Sequence, residues 1–302
     1  MHSTVIVCTR NRPEEMGRLV DALPVQSVKP RLVVVDSSDN TSTRRIVETF
    51  AEAGVWSDVL YVPSEPGLTR QRMRGIAELS ADCEVVHFID DDVAPEPGYF
   101  SALEAALDID TGAVGAGGVI TNLEAHRARL LNRVFLLDSL RGGVILESGV
   151  NVKLYHADEV TPVQWLSGCS MSYRRTVFDH VSFDTRMSGY SLGEDVDFSY
   201  RAGALGRLLV VPKARIAHLE RGAQTFDRRS FARAEVVRRH AFVAGNARRG
   251  VSPAAFWWSV LGDYAVTLGK SLVFADPAEW RAKLQGLADG LGDIRRERGV
   301  VR

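Results

Sequence analysis

Asp90, Asp91 and Asp92 stand side by side at the end of the apolar run Val85-Val86-His87-Phe88-Ile89, with Pro95 and Pro97 close behind to stop its continuation. A short run rich in β-branched and aromatic residues reads as a buried central strand. In open α/β sheets, ligands sit at the carboxyl ends of such strands. Three adjacent carboxylates repel one another and call for a compensating cation. Hard carboxylate oxygens suit Mg²⁺ or Mn²⁺, ions that commonly bridge protein carboxylates to phosphates. The competing reading is a solvated acidic turn, which would win for a lone Asp pair. The coincidence of strand, tip position and triplet favours a metal–diphosphate site. A second acidic group, Glu194-Asp195-Val196-Asp197, opens a helical stretch, where the positive end of the helix dipole favours ionised carboxylates. An ionised carboxylate is what a general base requires.

The elements that must position these acids alternate in type. Apolar strands are expected at Thr4 to Arg10, Arg31 to Asp36, Val59 to Val62 and Val85 to Ile89. Between them lie a helix after Pro13 with Glu14 and Glu15 in its first turn, a second over Arg44 to Ala53, and a basic one over Gly67 to Ile76. Strands and helices at this spacing mean βαβ units and a parallel sheet. The strands end in Thr9, Asp36 and Asp90 to Asp92, so one rim of the sheet becomes polar. Gly-rich Ala113 to Ile120 lacks the spacing and following helix of a dinucleotide loop and reads as a close-packed strand. Residues 122–160 read as a mobile loop region near the rim. Val163 to Leu166 is expected as a strand running into Ser167-Gly168-Cys169-Ser170, where Gly168 lets a substrate approach the backbone or forms a plain bulge. Ser188 to Gly193 is a flexible loop, Leu208 to Pro212 a further strand, and Ile216 to Leu219 a short one.

In this order the sequence resembles the inverting family 2 glycosyltransferases of GT-A fold, over about residues 4–220. The stretches that carry the resemblance are Val5 to Pro13, Val33 to Asp36, Gly67 to Ile76, Phe88 to Asp92, Trp165 to Met171 and Gly193 to Phe198. The resemblance implies a nucleoside-diphosphate-sugar donor, a divalent metal and an acceptor hydroxyl on a glycan, a lipid-linked molecule or a small molecule. It assigns Thr9, Asp36 and Arg72 to the nucleotide and Asp90 to the ribose or the metal; Arg10 and Asp91 complete the donor set. Asp92 becomes the metal ligand, joined by His218, and Asp195 the base, with Glu194 positioning the acceptor or its loop. Trp165 and Gly168 are expected at the acceptor. Ser37 stands where the family often has a second Asp, and Met73 where an Asn is common.

Two rival readings belong to other classes. Asp90-Asp91-Asp92-Val93 also resembles the nucleophile motif of haloacid-dehalogenase-type phosphatases, with Asp90 as nucleophile and Asp92 as acid/base. That motif normally sits on a first strand, and it leaves Glu194-Asp195 unexplained. The other rival is a non-catalytic nucleotide-sugar-binding subunit, against which the intact acids argue.

The 302 residues, 45% hydrophobic and 25% charged with a net charge of −1, are ordinary globular composition and point to no nucleic acid. Charge is uneven: from residue 221 onward 15 Lys/Arg face 8 Asp/Glu, while the first 220 residues carry 22 against 30. Cys8, Cys83 and Cys169 match no metal spacing and read as reduced thiols. The expected organisation is a GT-A domain over 1–220, with a nucleotide-sugar half (1–120) and an acceptor half (121–220), followed by a basic, aromatic helical extension over 221–302. Phe256-Trp257-Trp258 and the apolar residues after it are interrupted by Asp263 and Lys270, so no spanning helix is expected. Those aromatics pack on the catalytic domain, form a homodimer contact or touch a membrane. A strand near the N-terminus argues against a signal peptide, which places the protein in the cytoplasm, with peripheral attachment at the inner face of the membrane left open.

Overall fold

In a computed structural model of the chain, residues 1–187, 192–219, 227–273 and 277–300 are described. Side-chain alternation along the first strands sets the layers. In β1 (Ser3–Thr9), Val5 and Val7 enter one apolar layer and Ile6 the other. After α1 (Pro13–Ala22), β2 (Arg31–Asp36) sends Leu32 and Val34 to the first layer and Val33 and Val35 to the second. With both faces covered, these strands are continuous apolar runs, as parallel strands usually are. The chain continues through α2 (Ser42–Glu52), β3 (Val59–Pro63), α3 (Leu68–Ile76), β4 (Val85–Asp90), β5 (Val93–Pro95), α4 (Tyr99–Ile109) and β6 (Ala113–Ile120). Then come α5 (Leu130–Val134), β7 (Thr161–Val163), β8 (Ser170–Arg174), α6 (Glu194–Ala202) and β9 (Arg207–His218). Strands β3, β2, β1 and β4 are parallel neighbours; β8 joins β4 to β6 antiparallel to both, and β6 pairs parallel with β9. Short β5 and β7 pair antiparallel with β9.

Four local expectations change. The strand expected over Val163 to Leu166 ends at Val163, and the next begins at Ser170. Leu166 is buried without a ladder because its N–H donates to Ser199 Oγ at 3.0 Å. The two strands expected over Leu208 to Pro212 and Ile216 to Leu219 are one, β9. Its register with β6 jumps from Gly118↔Val211 to Val119↔Arg215, leaving Pro212, which has no N–H to donate, in the irregular stretch. Pro95 does not stop the chain extending after the acids: it ends the edge strand β5, where a missing donor is tolerated. Within 122–160, Leu130–Val134 is helical and Ser148 and Val152 are buried.

The chain divides into two compact units, Met1–Ala125 with Leu154–Glu220, and His126–Lys153 with Arg221–Arg302. Residues 126–153 therefore group with the C-terminal helices and not with the acceptor half of an undivided 1–220 domain. In the second unit α7 (Arg228–Asn246), α8 (Pro253–Val273) and α9 (Pro277–Val300) pack together. Gly286 and Gly290, four apart on α9, let α7 approach: a Cβ at Gly286 would strike the Arg229 carbonyl, and one at Gly290 the Val236 side chain. Three of the arginines of the basic extension are matched across this contact. Arg228 pairs with Glu279, Arg229 with Asp289 at 2.6 Å and Arg233 with Asp293 at 2.6 Å. Among the described residues, no helix is long and apolar enough to cross a membrane.

Candidate active site

The acid triplet ends β4, and the three side chains go to different partners. Asp91 turns inward: Thr9 Oγ1 donates to its Oδ2 at 2.6 Å, and Arg12 Nη1 pairs with Oδ1 at 2.8 Å. Asp92 Oδ2 accepts from Arg12 Nη2 at 2.6 Å, so one guanidinium spans two adjacent carboxylates. Asp92 Oδ1 has His218 Nε2 at 3.4 Å, yet it is buried with no hydrogen bond. His218 closes β9 opposite Val93, and Asn122 clamps its backbone, accepting its N–H at 2.9 Å and donating to its carbonyl at 2.7 Å. Ligand atoms of Asp90, Cys169 and His218 all lie within 4.8 Å of one another.

Behind the triplet, Arg72 is 2% exposed and reaches three groups: an ion pair with Glu194, Asp90 Oδ1 at 3.8 Å, and the Gly168 carbonyl, to which it donates at 3.3 Å. Its guanidinium lies 5.8 Å from the Phe88 ring centroid and 5.3 Å from that of Phe183, a geometry that holds a planar cation out of water. Gly193, with φ of 75°, turns the chain into α6 and sets Asp195 at the helix start. Asp195 Oδ2 accepts the Gly168 N–H at 3.0 Å and Oδ1 accepts that of Val196 at 2.8 Å. Two backbone donors thus fix the orientation of this carboxylate. A Cβ on Gly168 would come within 3.2 Å of both Arg72 Nη2 and Glu194 Oε1, so this glycine is fixed by the crowding of that group.

Asp36 ends β2. Its Oδ1 accepts from Ser38 N at 2.8 Å and its Oδ2 from the Tyr61 hydroxyl at 3.0 Å. Gln71 ties the tips of β1 and β2 by donating to the Thr9 and Val35 carbonyls, each at 2.9 Å. The structure thus links Thr9, Asp91, Asp92 and His218 in one chain of contacts and Asp90, Arg72, Glu194, Gly168 and Asp195 in another, with Asp90 and His218 adjoining. Arg10 stays apart, with its side chain 51% exposed and 3.8 Å from Asp39. Trp165 is buried. Residues 188–191 of the loop before α6 lie outside the described residues.

Sequence reasoning missed Arg12, Asn122 and Cys169. Arg12 lies within the Val5 to Pro13 stretch, and two acids side by side at 91 and 92 were a signal for a bidentate cation. Asn122 and Cys169 gave no local signal, because the sheet brings them to the rim from distant positions.

Among the described residues, Asp90, Asp91, Asp92, Glu194 and Asp195 gather here around the guanidiniums of Arg12 and Arg72, and burial raises Asp90, Asp91 and Glu194. Burial pushes the Asp91 carboxyl up to about 7 against the pull of Arg12 and Thr9, and Glu194 up to about 8 against the pull of Arg72. A carboxyl raised on folding contributes stability that is complete below its unfolded pKa and is lost as pH rises through its folded one. In chelator, Asp91→Asn lacks that loss. Its stability relative to the wild type is therefore expected to improve between pH 5 and pH 8, by up to about 3 kcal/mol. Urea unfolding across that range checks it; a flat difference would mean that Asp91 ionises normally.

Solved structures share this architecture at low identity. They include the mannosyltransferase PcManGT from Pyrobaculum calidifontis in complex with GDP-Man and Mn²⁺ (TM-score 0.61, 16% identity, 97% of this chain and 87% of that one). S. aureus TarS 1-349 in complex with UDP-GlcNAc is similar over 96% of this chain and 80% of that one (0.58, 16%). GalNAc-T7 with UDP, GalNAc and Mn²⁺ is similar over 87% and 54% (0.58, 16%). The fold is the GT-A fold. Residues 4–182, more than half of the chain, match the model for glycosyl transferase family 2, and the chain belongs to that family. No curated protein matches the sequence. Membership displaces the phosphatase reading, consistent with Asp90 lying on the fourth strand.

Proposed function

We propose that this chain transfers a sugar from a nucleoside-diphosphate sugar to an acceptor hydroxyl, with inversion at the anomeric carbon and with Mn²⁺ or Mg²⁺ bound. The observation that carries the reading is the surplus of carboxylates over guanidiniums on one sheet rim, with Asp92 Oδ1 buried and unpartnered beside His218. Asp90, Asp92 and His218 offer the oxygen and nitrogen donors that such ions take. Cys169 is the odd member: burial pushes its thiol up, and a protonated thiol is a poor ligand. The bound cation would neutralise the departing diphosphate. Complexes of two of the solved neighbours with Mn²⁺, and of all three with a nucleotide or nucleotide sugar, support the same donor class.

The chain's own groups then divide the work. Thr9, Asp36 and Arg72 bind the nucleotide and its phosphates, and Arg12 holds Asp91 and Asp92 in place. Asp195, oriented by two N–H donors, takes the proton of the acceptor hydroxyl as that oxygen attacks the anomeric carbon opposite the diphosphate. Glu194 fixes Arg72, and the Gly168 backbone lies beside both. The donor is found by a thermal-shift screen of nucleoside diphosphates and their sugars with and without Mn²⁺. The expected result is stabilisation by one nucleotide class that depends on the ion. No shift with any nucleotide would remove the proposal.

A further inference from the structure

Helix α8 presents an apolar face to solvent. Its solvent face carries Ala254, Trp258, Leu261, Ala265 and Leu268, all exposed and spaced three or four apart, with no charge among them. Its buried side holds Ala255, Phe256 and Val260 together with the polar Ser259, Asp263 and Thr267. Those polar groups are satisfied internally: Ser259 donates to the Phe256 carbonyl at 2.7 Å, and Asp263 accepts from Lys283 at 2.5 Å. A surface helix facing water carries polar and charged residues where this stripe lies. The apolar stripe extends onto α5, where Leu130, Leu131 and Val134 are exposed. Together with Trp258, Leu261 and Leu268 these side chains are 45–73% exposed. The two helices are joined by Trp258, whose ring lies 5.2 Å from that of Phe135 and whose Nε1 donates to the Val134 carbonyl at 2.9 Å. Gly262 faces Phe135 so closely that a Cβ there would collide. A contiguous patch of this kind marks an interaction surface.

Charge identifies what it meets. Residues 126–141 contain Arg127, Arg129, Arg133 and Arg141 against the single acid Asp138, which is taken by His126 at 2.9 Å. Among the described residues, none of those arginines has an acid within ion-pair distance, nor does Lys270 at the far end of the stripe, whereas Arg228, Arg229 and Arg233 are all matched on α9. The 126–141 segment therefore carries arginines without a carboxylate partner beside the apolar stripe. Apolar and indole side chains bordered by arginines are the pattern of an element lying in the lipid headgroup region.

We infer that the α5–α8 face docks the protein peripherally on an anionic phospholipid surface, with Leu130, Leu131, Val134, Trp258 and Leu261 entering the headgroup layer and the 127–141 arginines contacting lipid phosphates. This stands apart from the sugar-transfer reading, since none of these residues belongs to that site. The test is cosedimentation of the full chain with vesicles of phosphatidylglycerol and phosphatidylcholine, against phosphatidylcholine alone, at low and high salt. Expected is binding that requires the anionic lipid and fades with salt. Leu131→Glu with Leu261→Glu, and separately Arg129→Glu with Arg133→Glu, should each weaken it roughly tenfold or more. Unchanged thermal melting and nucleotide-induced shift establish that the variants are folded. Leu131→Ser with Leu261→Ser serves if the glutamates unfold the unit, and quenching of tryptophan fluorescence by brominated lipid gives an independent readout. Protein that stays in the supernatant with every vesicle overturns the inference. So does a dimer, detected by ultracentrifugation, that the same substitutions dissociate, because a second copy would then be what covers the face.

Discussion

Asp195→Asn is expected to lower turnover by roughly 10²–10⁴-fold, the usual contribution of a positioned base, with donor affinity within a few-fold of wild type. The substitution keeps size and one acceptor oxygen but cannot take up a proton. Its cost to the fold should be small but measurable. In the native arrangement both carboxylate oxygens accept backbone N–H groups, from Gly168 and Val196, and an amide offers only one acceptor. A thermal melt therefore accompanies the kinetics, so that lost chemistry is separated from a loosened helix start. Turnover near wild type would move the role to Glu194 or Asp197. The geometry disfavours both, because Glu194 is committed to Arg72 and Asp197 to Arg201 at 2.7 Å.

The second large effect concerns the cation. Nucleoside diphosphate should bind much more tightly with Mn²⁺ or Mg²⁺ than with chelator, and Asp92→Ala should abolish that difference. His218→Ala should weaken it without abolishing it, since Asp90 and Asp92 remain. Arg12 complicates the reading in a useful way. In Asp92→Ala its Nη2 loses one carboxylate but keeps Asp91 through Nη1, so the loop is expected to stay ordered. Calorimetry of the nucleotide with and without the ion decides between the outcomes. Equal affinity in both conditions for the wild-type chain would leave the carboxylate surplus to be explained by protonation alone.

Much of the sheet was legible because its strands are buried on both faces. Continuous runs such as Leu32-Val33-Val34-Val35 have few alternatives, and the acids that end them mark the rim without any long-range information. What was not legible depended on packing between distant segments. Trp165 and Leu166 look like strand residues because they are apolar, and they are buried, but a side chain (Ser199) satisfies the Leu166 backbone where a ladder was expected. Pairing within the tail was hidden for a similar reason. Arg228, Arg229 and Arg233 stand close together in the sequence, and only the seating of α9 beside α7, running in the same direction, shows their acidic partners. The exposed apolar stripe of α8 was hidden as well, since a count of apolar residues along 253–273 does not say which of them point outward. At the site, Asp90 to Asp92, Glu194 and Asp195 stood out by residue type and position, and His218 only through the family resemblance. Arg12, Asn122 and Cys169 emerged only when the strands were placed side by side.

The central claim is a direct displacement at the anomeric carbon assisted by Asp195. Once the screen has identified a donor, NMR of the first product formed tests it most directly. An anomeric configuration opposite to that of the donor, appearing with the wild-type chain and strongly suppressed with Asp195→Asn, is what the account predicts. Transfer with the donor's configuration retained would contradict it.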